Sequence, residues 1–323
     1  MQNGLWKYCS SAQETEYLLS LDLAGALTAS REKQAALLYA LSNHAEEHYR
    51  RVRIPKKHGG FRTLDVPDRL LKSVQQRILT QVLERLPVPE CARAYRKGVS
   101  LLENAEPHVG QRCVLKLDIR DFFGSITYLS VYSLAFPGEF FPPAVRTLLT
   151  HLCCLHDSLP QGAPTSPYIS NLVMAPFDRY ISGWCEARGI TYTRYCDDLT
   201  FSGDFNPNEV KSAAEGFLLR LGFELNPDKT RFFSSSRRQE VTGIVVNDRP
   251  HLSKSYRRKL RQEWYFLKKY GTENHLQHMG SPLTPEKYLQ SLKGRILYVL
   301  SIDPSDREFA DMLRELSAER SSI

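Results

Sequence analysis

The sequence has no run of about 18 apolar residues, so no membrane-spanning helix is expected. Its opening, MQNGLWKYCSSAQETEY, lacks the basic-then-apolar design of a secretion signal. No C-x-x-C pair occurs among the seven cysteines (Cys9, Cys91, Cys113, Cys153, Cys154, Cys185 and Cys196), and their number is odd. Neither a disulfide framework nor a zinc knuckle is therefore suggested, and reduced thiols in a cytoplasmic protein are the plain reading. Internal repeats, low-complexity tracts and a linker that would split the chain cleanly are also missing. What is present is a 323-residue chain with 42% hydrophobic and 24% charged residues, enough for one large or two ordinary globular domains. Basic residues outnumber acidic ones, giving a net charge of +7 and a pI near 9.0, which favours a polyanionic partner.

Read for periodicity, residues 13 to about 50 are helical, with Leu37, Leu38 and Leu41 on an apolar face. RRVRIPKKHGGFRTLDVP (residues 50–67) reads as a basic hairpin turning at Gly59-Gly60, followed by a helix from Asp68 to Leu86. VLKLDIRDFFGSI (114–126) opens as a strand; Asp118 falls at its end and Asp121 is placed to cap a following helix. PQGAPTSPYISNLVMAPFDRYISGWCEARG (160–189) is a turn leading into a long helix that stops at Gly189. Next, RYCDDLTFSG (194–203) is a hairpin with Asp197 and Asp198 at its tip. A helix then runs from Asn206-Pro207 to Gly222, followed by short strands. From Pro250 the pattern is helical and basic. Strand, helix, hairpin, helix, strand is the order of a ferredoxin-like α+β layer.

An Asp-Asp turn is common and can be nothing more than that. In a ferredoxin-like sheet, however, the strand ending at Asp118 and the hairpin at Asp197 can be neighbours. Clustered carboxylates repel unless a cation lies between them, and Mg²⁺ prefers such oxygens with phosphates completing its shell. Two such ions about 4 Å apart serve phosphoryl transfer, which needs positioning and charge more than other chemistry.

LDIRDFF, LPQGAPTSP and YCDD, in this order and spacing, resemble the palm motifs of reverse transcriptases from about Arg53 to Asn247. Within that family the chain is similar to bacterial retron enzymes. ENAEPH (103–108) resembles their Asn-Ala-x-x-His signature, and Val241-Thr242-Gly243 their triplet near the primer grip. The resemblance implies a right-hand polymerase fold with fingers, a ferredoxin-like palm and a helical thumb. The expected divisions are an N-terminal helical region at 1–50, fingers at 51–112, a palm at 113–247 that lends 125–160 to the fingers, and a thumb and RNA-recognition region at 248–323. It implies Asp118 and Asp197 as principal ligands of two Mg²⁺ ions, helped by the Ile119 carbonyl, with Asp198 a less direct third carboxylate.

Cys196 departs from the Ala, Met or Val that many relatives have beside the primer end, a change expected to tune fidelity without abolishing chemistry. Phe123 matches the ring that excludes a 2′-hydroxyl, although Phe122 and Phe123 could both be core. Gln161 and Gly162 match residues beside the incoming nucleotide, and the bland alternative for them is a helix-entry turn. Lys56, Lys57 and Arg62 resemble the fingers cations that grip the triphosphate, and Asp121 is grouped with these nucleotide-binding positions. Lys229 resembles a lysine that protonates pyrophosphate; without the resemblance it reads as a surface lysine.

RPHLSKSYRRKLRQEWYFLKK (249–269) carries eight Lys or Arg and one acidic residue, interleaved with aromatics. Such a helix can pack rings inward and lay charge along a phosphate backbone, or simply be a solvated basic face. By resemblance it is a thumb that recognises an RNA hairpin by shape. Lys254, Arg257, Arg258 and Arg261 are its expected RNA contacts, together with Asn104, His108, Val241, Thr242 and Gly243. The function implied is an RNA-directed DNA polymerase that binds its cognate non-coding RNA, primes from an RNA 2′-hydroxyl and consumes dNTPs to make RNA-linked single-stranded DNA. Template removal by a host RNase H, a separate effector protein, a role in phage defence and a bacterial cytoplasm follow from the same resemblance. The alternatives are an intron-encoded or abortive-infection reverse transcriptase, and an RNA-binding scaffold that restrains a toxin.

Overall fold

The computed structural model describes residue 6 and residues 9–27, 30–55 and 59–319. The stretch read as one helical region over 13–50 is two helices. α1 (Ser11–Ser20) opens on a capping box: the Ser10 hydroxyl accepts from the Gln13 N–H, and the Gln13 side chain accepts from the Ser10 N–H. α2 (Arg31–Asn43) buries Leu38 and Leu41. The α-helix ends at Asn43, and a 3₁₀ turn (Ala45–His48) leads to Tyr49, which already belongs to the basic hairpin. Its strands β1 (Tyr49–Pro55) and β2 (Phe61–Pro67) pair antiparallel from Tyr49↔Pro67 to Pro55↔Phe61. The Asp68 carboxylate then accepts from the Leu71 N–H at 2.9 Å and caps α3 (Arg69–Gln81).

α4 (Leu101–Ala105) precedes β3 (Cys113–Asp118), whose almost continuous burial is that of a central strand. Asp121 does not cap a helix. It has a φ of 41°, and its carbonyl accepts from the Ser125 N–H in a turn. The next helical segment, α5 (Tyr128–Ser130), takes Thr127 as its cap instead. α6 (Pro143–Cys153) and the long α7 (Ser166–Glu186) follow, and Gly189, at φ 65°, turns the chain into β4. β4 (Thr191–Tyr195), β5 (Asp198–Gly203), α8 (Pro207–Arg220) and β6 (Arg231–Ser234) complete the layer. The sheet order is β4-β5-β3-β6, with α7 between β3 and β4 in sequence and α8 between β5 and β6. That is the ferredoxin-like arrangement read from the sequence.

β7 (Glu240–Val241), β8 (Ile244–Val245) and β9 (His251–Leu252) form a separate small sheet. Four helices end the chain: α9 (Lys254–Tyr270), α10 (Thr272–Met279), α11 (Pro285–Ile302) and α12 (Arg307–Glu319). The chain divides into two compact units, one of residues 1–98, 116–200 and 205–231, the other of 99–115, 201–204 and 232–323. In the first, Ile169, Phe177, Leu199, Ala214, Leu218 and Phe223 are sealed from solvent. In the second, Val241, Ile244, Leu292, Ile296 and Phe309 are. Each of these Val, Leu, Ile and Phe side chains contributes roughly 1.5–3 kcal/mol of burial, and the Ala214 methyl less. Among the described residues no helix is long and apolar enough to cross a membrane.

Candidate active site

β3 is flanked by β5, and the chain leaving β3 is held on both sides. The Ile119 N–H donates to the Asp197 carbonyl at 3.1 Å, and the Asn226 N–H donates to the Asp118 carbonyl at 2.8 Å. The Asp118 end of β3 therefore lies between the hairpin tip and the segment leading to β6. This tie brings together carboxylates that are distant in sequence. Asp118, Asp197 and Asp198 line one cavity of about 560 Å³, with Ile119, Asp121, Phe123, Arg62, Gln161, Lys229, Tyr95 and Cys196 also in its wall.

Asp118 is 5% exposed, and its two oxygens differ. Oδ2 accepts from the Lys229 ammonium at 2.8 Å, whereas Oδ1 is sealed and has no hydrogen-bond partner among the described residues. A carboxylate oxygen in that state is costly, and a cation would relieve it. Burial raises the Asp198 carboxyl above the ordinary range; Asp197 and Asp118 push the same way, against Lys116 and Lys229. The hydrogen bond to Asp118 raises Lys229 in turn, so it stays an ammonium. Among the described residues no three acidic, histidine or cysteine side chains converge tightly enough to make a cation cage by themselves. The donor set suits an ion such as Mg²⁺ that completes its shell with water and substrate phosphates.

The flanking residues divide by burial. Phe122 is core, 4% exposed and packed on Phe223, while Phe123 is half-buried; both border the cavity. The Gln161 carbonyl accepts from the Asp65 N–H at 2.8 Å and so joins the β1–β2 hairpin to the cavity wall. Gly162, at φ 133°, sits so close that a Cβ there would meet the Asp65 carbonyl oxygen at 2.7 Å. Arg62 lines the cavity from β2; Lys56 and Lys57 lie outside the described residues.

The sequence matches the family model described as reverse transcriptase (RNA-dependent DNA polymerase) over residues 54–246, a span that takes in every carboxylate above and Lys229. The chain belongs to the reverse transcriptases. It is 35% identical to the retron Mx65 reverse transcriptase of Myxococcus xanthus, in an alignment covering 81% of this chain and 63% of that one. The figures are 33%, 94% and 69% for the retron Mx162 enzyme of the same organism. For the retron Ec86 reverse transcriptase of Escherichia coli they are 34%, 70% and 70%. The chain thus spans just under two thirds of the Mx65 protein's length and somewhat over two thirds of the other two. These relatives make it a reverse transcriptase of the retron type.

Among the solved structures that share its fold are a viral reverse transcriptase and a telomerase. A foamy viral protease-reverse transcriptase aligns over 85% of this chain and 39% of its own at 15% identity and a TM-score of 0.51. Apo telomerase from Candida tropicalis aligns over 85% and 58% at 11% identity and 0.51. The reverse transcriptase accordingly has the right-hand polymerase fold.

The residues expected at RNA have mixed surroundings. Asn104 and His108 of this reverse transcriptase are sealed from solvent. The Asn104 amide donates to the Thr242 hydroxyl at 3.4 Å, and His108 Nδ1 lies 2.6 Å from the Ser202 hydroxyl. Val241 is equally buried, so these three side chains, expected at RNA, face the interior of the protein. Thr242 and Gly243, at φ 47° and 88°, make a two-residue hairpin turn between β7 and β8; successive positive φ values are what a type I′ turn requires. The two retron-like signatures therefore touch each other. On α9, Arg257 pairs with Asp306, and Arg261 with Glu308 through two bonds of 2.6 Å. Both guanidinium groups also lie over the Phe309 ring. Lys254 and Arg258 are exposed and form no ion pair among the described residues.

Sequence reading missed two residues that shape the site. Arg194, fully buried, donates from Nε and Nη2 to the equally buried Asp178 and from Nη1 to the Asn171 side chain. Burial works against its charge, but Asp178 holds it firmly protonated. Tyr95 was missed as well, its hydroxyl 3.0 Å from Cys196 Sγ. The only signal for Arg194 was an arginine inside a strand pattern; Tyr95 had none.

Proposed function

We propose that this chain is the polymerase of a retron, which copies part of its own structured RNA into DNA joined to that RNA. The observation that carries the reading is the buried Asp118 carboxylate, one oxygen on Lys229 and the other without a partner among the described residues, in a cavity it shares with Asp197 and Asp198. In this reading Asp118, Asp197, the Ile119 carbonyl and, less directly, Asp198 hold two Mg²⁺ ions, which supply positive charge to the reacting phosphate oxygens. A primer hydroxyl, at first an RNA 2′-hydroxyl and then a DNA 3′-hydroxyl, forms a bond to the α-phosphorus of a dNTP. The bond to pyrophosphate breaks.

Lys229, kept as an ammonium beside Asp118, is the proton source for the leaving group. Arg62 approaches the triphosphate from the fingers strand, and fixed cations there offset charge on the leaving group. Phe123 lies under the sugar and leaves no room for a 2′-hydroxyl. Gln161 and Gly162 adjoin the nucleotide, and Asp121 borders it from the turn after β3. The expected divisions at 1–50, 51–112, 113–247 and 248–323 serve as N-terminal region, fingers, palm and thumb.

RNA recognition falls to the exposed side of α9. Arg257 is already paired with Asp306, just before α12, and Arg261 with Glu308 in its first turn, which of the four expected contacts leaves Lys254 and Arg258 as the cations for phosphate. The exposed Tyr265 ring and Lys269, its ammonium 5.6 Å from that ring, continue the same helix face. In the same reading the enzyme works in a bacterial cytoplasm, a host RNase H removes the copied template, and the product acts with a separate effector protein in defence against phage.

The test is to express the chain with its flanking genomic DNA, as wild type and as Asp197→Asn, and to examine the copurifying nucleic acid. A short DNA found only with wild type, shifting on RNase and debranching treatment, is the expected result. RNA with both proteins and DNA with neither would replace the polymerase by an RNA-binding scaffold.

A further inference from the structure

Cys196, the first residue of the Asp-bearing turn, has a φ of 61°. Such a conformation is costly for a residue with a Cβ and persists only where the surroundings over-determine it. Its surroundings do so from two sides. The Cys196 carbonyl accepts from Arg194 Nη1 at 3.1 Å, and Arg194 is itself locked by Asp178 and Asn171. On the other side the Tyr95 hydroxyl donates to Cys196 Sγ at 3.0 Å. Tyr95 has a positive φ too, 62°, the second such residue in the same contact.

The segment before Tyr95 is tied to the same strand as the turn. The Arg93 N–H donates to the Arg194 carbonyl at 2.8 Å, the Arg194 N–H to the Cys91 carbonyl at 2.8 Å, and the Asn171 amide to the Ala94 carbonyl at 2.9 Å. Arg194 thus fixes the turn directly, and it also fixes the segment that delivers Tyr95 to the turn. Tyr95 is 41% exposed and lines the cavity that holds Asp118, Asp197 and Asp198. A ring that served only to fill space would not need this strained backbone or so exposed a place.

We propose that Tyr95 is a positioning residue for the Asp197–Asp198 turn, acting through the side chain at Cys196 while Arg194 holds that residue's carbonyl. The assignment rests on the polymerase reading above and adds to it a residue that sets where the carboxylates stand. It makes the effect of Tyr95 conditional on what occupies position 196.

The experiment compares wild type, Tyr95→Phe, Cys196→Ala and the double variant, each as full chain with its RNA. It reads kcat and KM for single-nucleotide incorporation together with the melting temperature. Tyr95→Phe is expected to lower kcat about five- to tenfold, with the dNTP KM within twofold and the melting temperature unmoved. Added to Cys196→Ala, it is expected to change nothing further, because the contact it removes is already gone. An unchanged kcat, a loss seen only in KM or only in melting temperature, or an equal loss of kcat in both backgrounds would overturn the assignment. If wild type itself incorporates no nucleotide, the polymerase reading fails, which is a separate result.

Discussion

Replacing Gly162 by alanine tests how the fingers hairpin is joined to the nucleotide cavity. Two penalties add at this position. The backbone φ of 133° is one that a side chain disfavours, and a new Cβ would stand 2.7 Å from the Asp65 carbonyl oxygen. An ordinary contact there needs about 3.4 Å, so the β2 backbone has to retreat by roughly 0.7 Å. That retreat stretches the 2.8 Å bond from the Asp65 N–H to the Gln161 carbonyl, which belongs to the adjacent residue. Alanine at a positive φ costs more than about 1 kcal/mol, and weakening this half-buried backbone bond adds about 1 kcal/mol.

The expected sum is about 2–3 kcal/mol, seen in denaturant titration as a lower midpoint with unchanged slope. Because Arg62 lies on the displaced strand, the KM for dNTP is expected to rise as well, while RNA binding is unaffected. A Gly162→Ala enzyme with wild-type stability and wild-type KM would refute the close approach as the reason for glycine here. A loss of stability with unchanged KM would show that the hairpin does not reach the nucleotide.

Asp178→Asn leaves the buried Arg194 guanidinium uncompensated and is expected to cost about 3–5 kcal/mol in denaturant titration, far more than an exposed ion pair would. In the proposed reading Phe123→Ala opens the space under the sugar, so discrimination against ribonucleotides should fall at least about tenfold in competition assays, whereas Phe122→Ala should act on stability instead. Asp68→Ala removes the cap of α3 and should cost about 1 kcal/mol in thermal melts. The hydrogen bonds from Arg261 hold the Glu308 carboxyl below the usual range. Stability from this pair is therefore present above the ordinary carboxylate pKa and is lost as pH falls through the lowered value. Both groups are over 40% exposed, so screening leaves about 0.5 kcal/mol; wild type and Glu308→Gln should differ by that much near neutrality and converge in acid.

Where a residue's part depends on its own segment, the sequence was enough to read it. Two strand-forming arms around Gly59-Gly60 gave a hairpin, Asn206-Pro207 started a helix, and the order of elements gave the ferredoxin-like sheet. The placing of Asp118 near Asp197 followed from that order, because sheet topology allows few neighbours. The family motifs, being contiguous, named several of the other cavity residues, though not Tyr95. Even locally there were limits: a helix capped by Asp121 and a turn containing it share the same short-range pattern, and the chain takes the turn.

What only the tertiary structure decided are the partners supplied by distant segments. The basic run of α9 reads as a free cationic face until the start of α12 and the residue before it bring Glu308 and Asp306 against Arg261 and Arg257. Asn104 and His108 read as surface recognition groups until Thr242 and Ser202 meet them in the interior. Arg194 reads as one more basic residue until Asp178 makes it the buried hub of the turn. The physical reason is common to all three. A residue's type states which bonds it can make, but whether water or a remote side chain makes them depends on which surfaces the fold brings together.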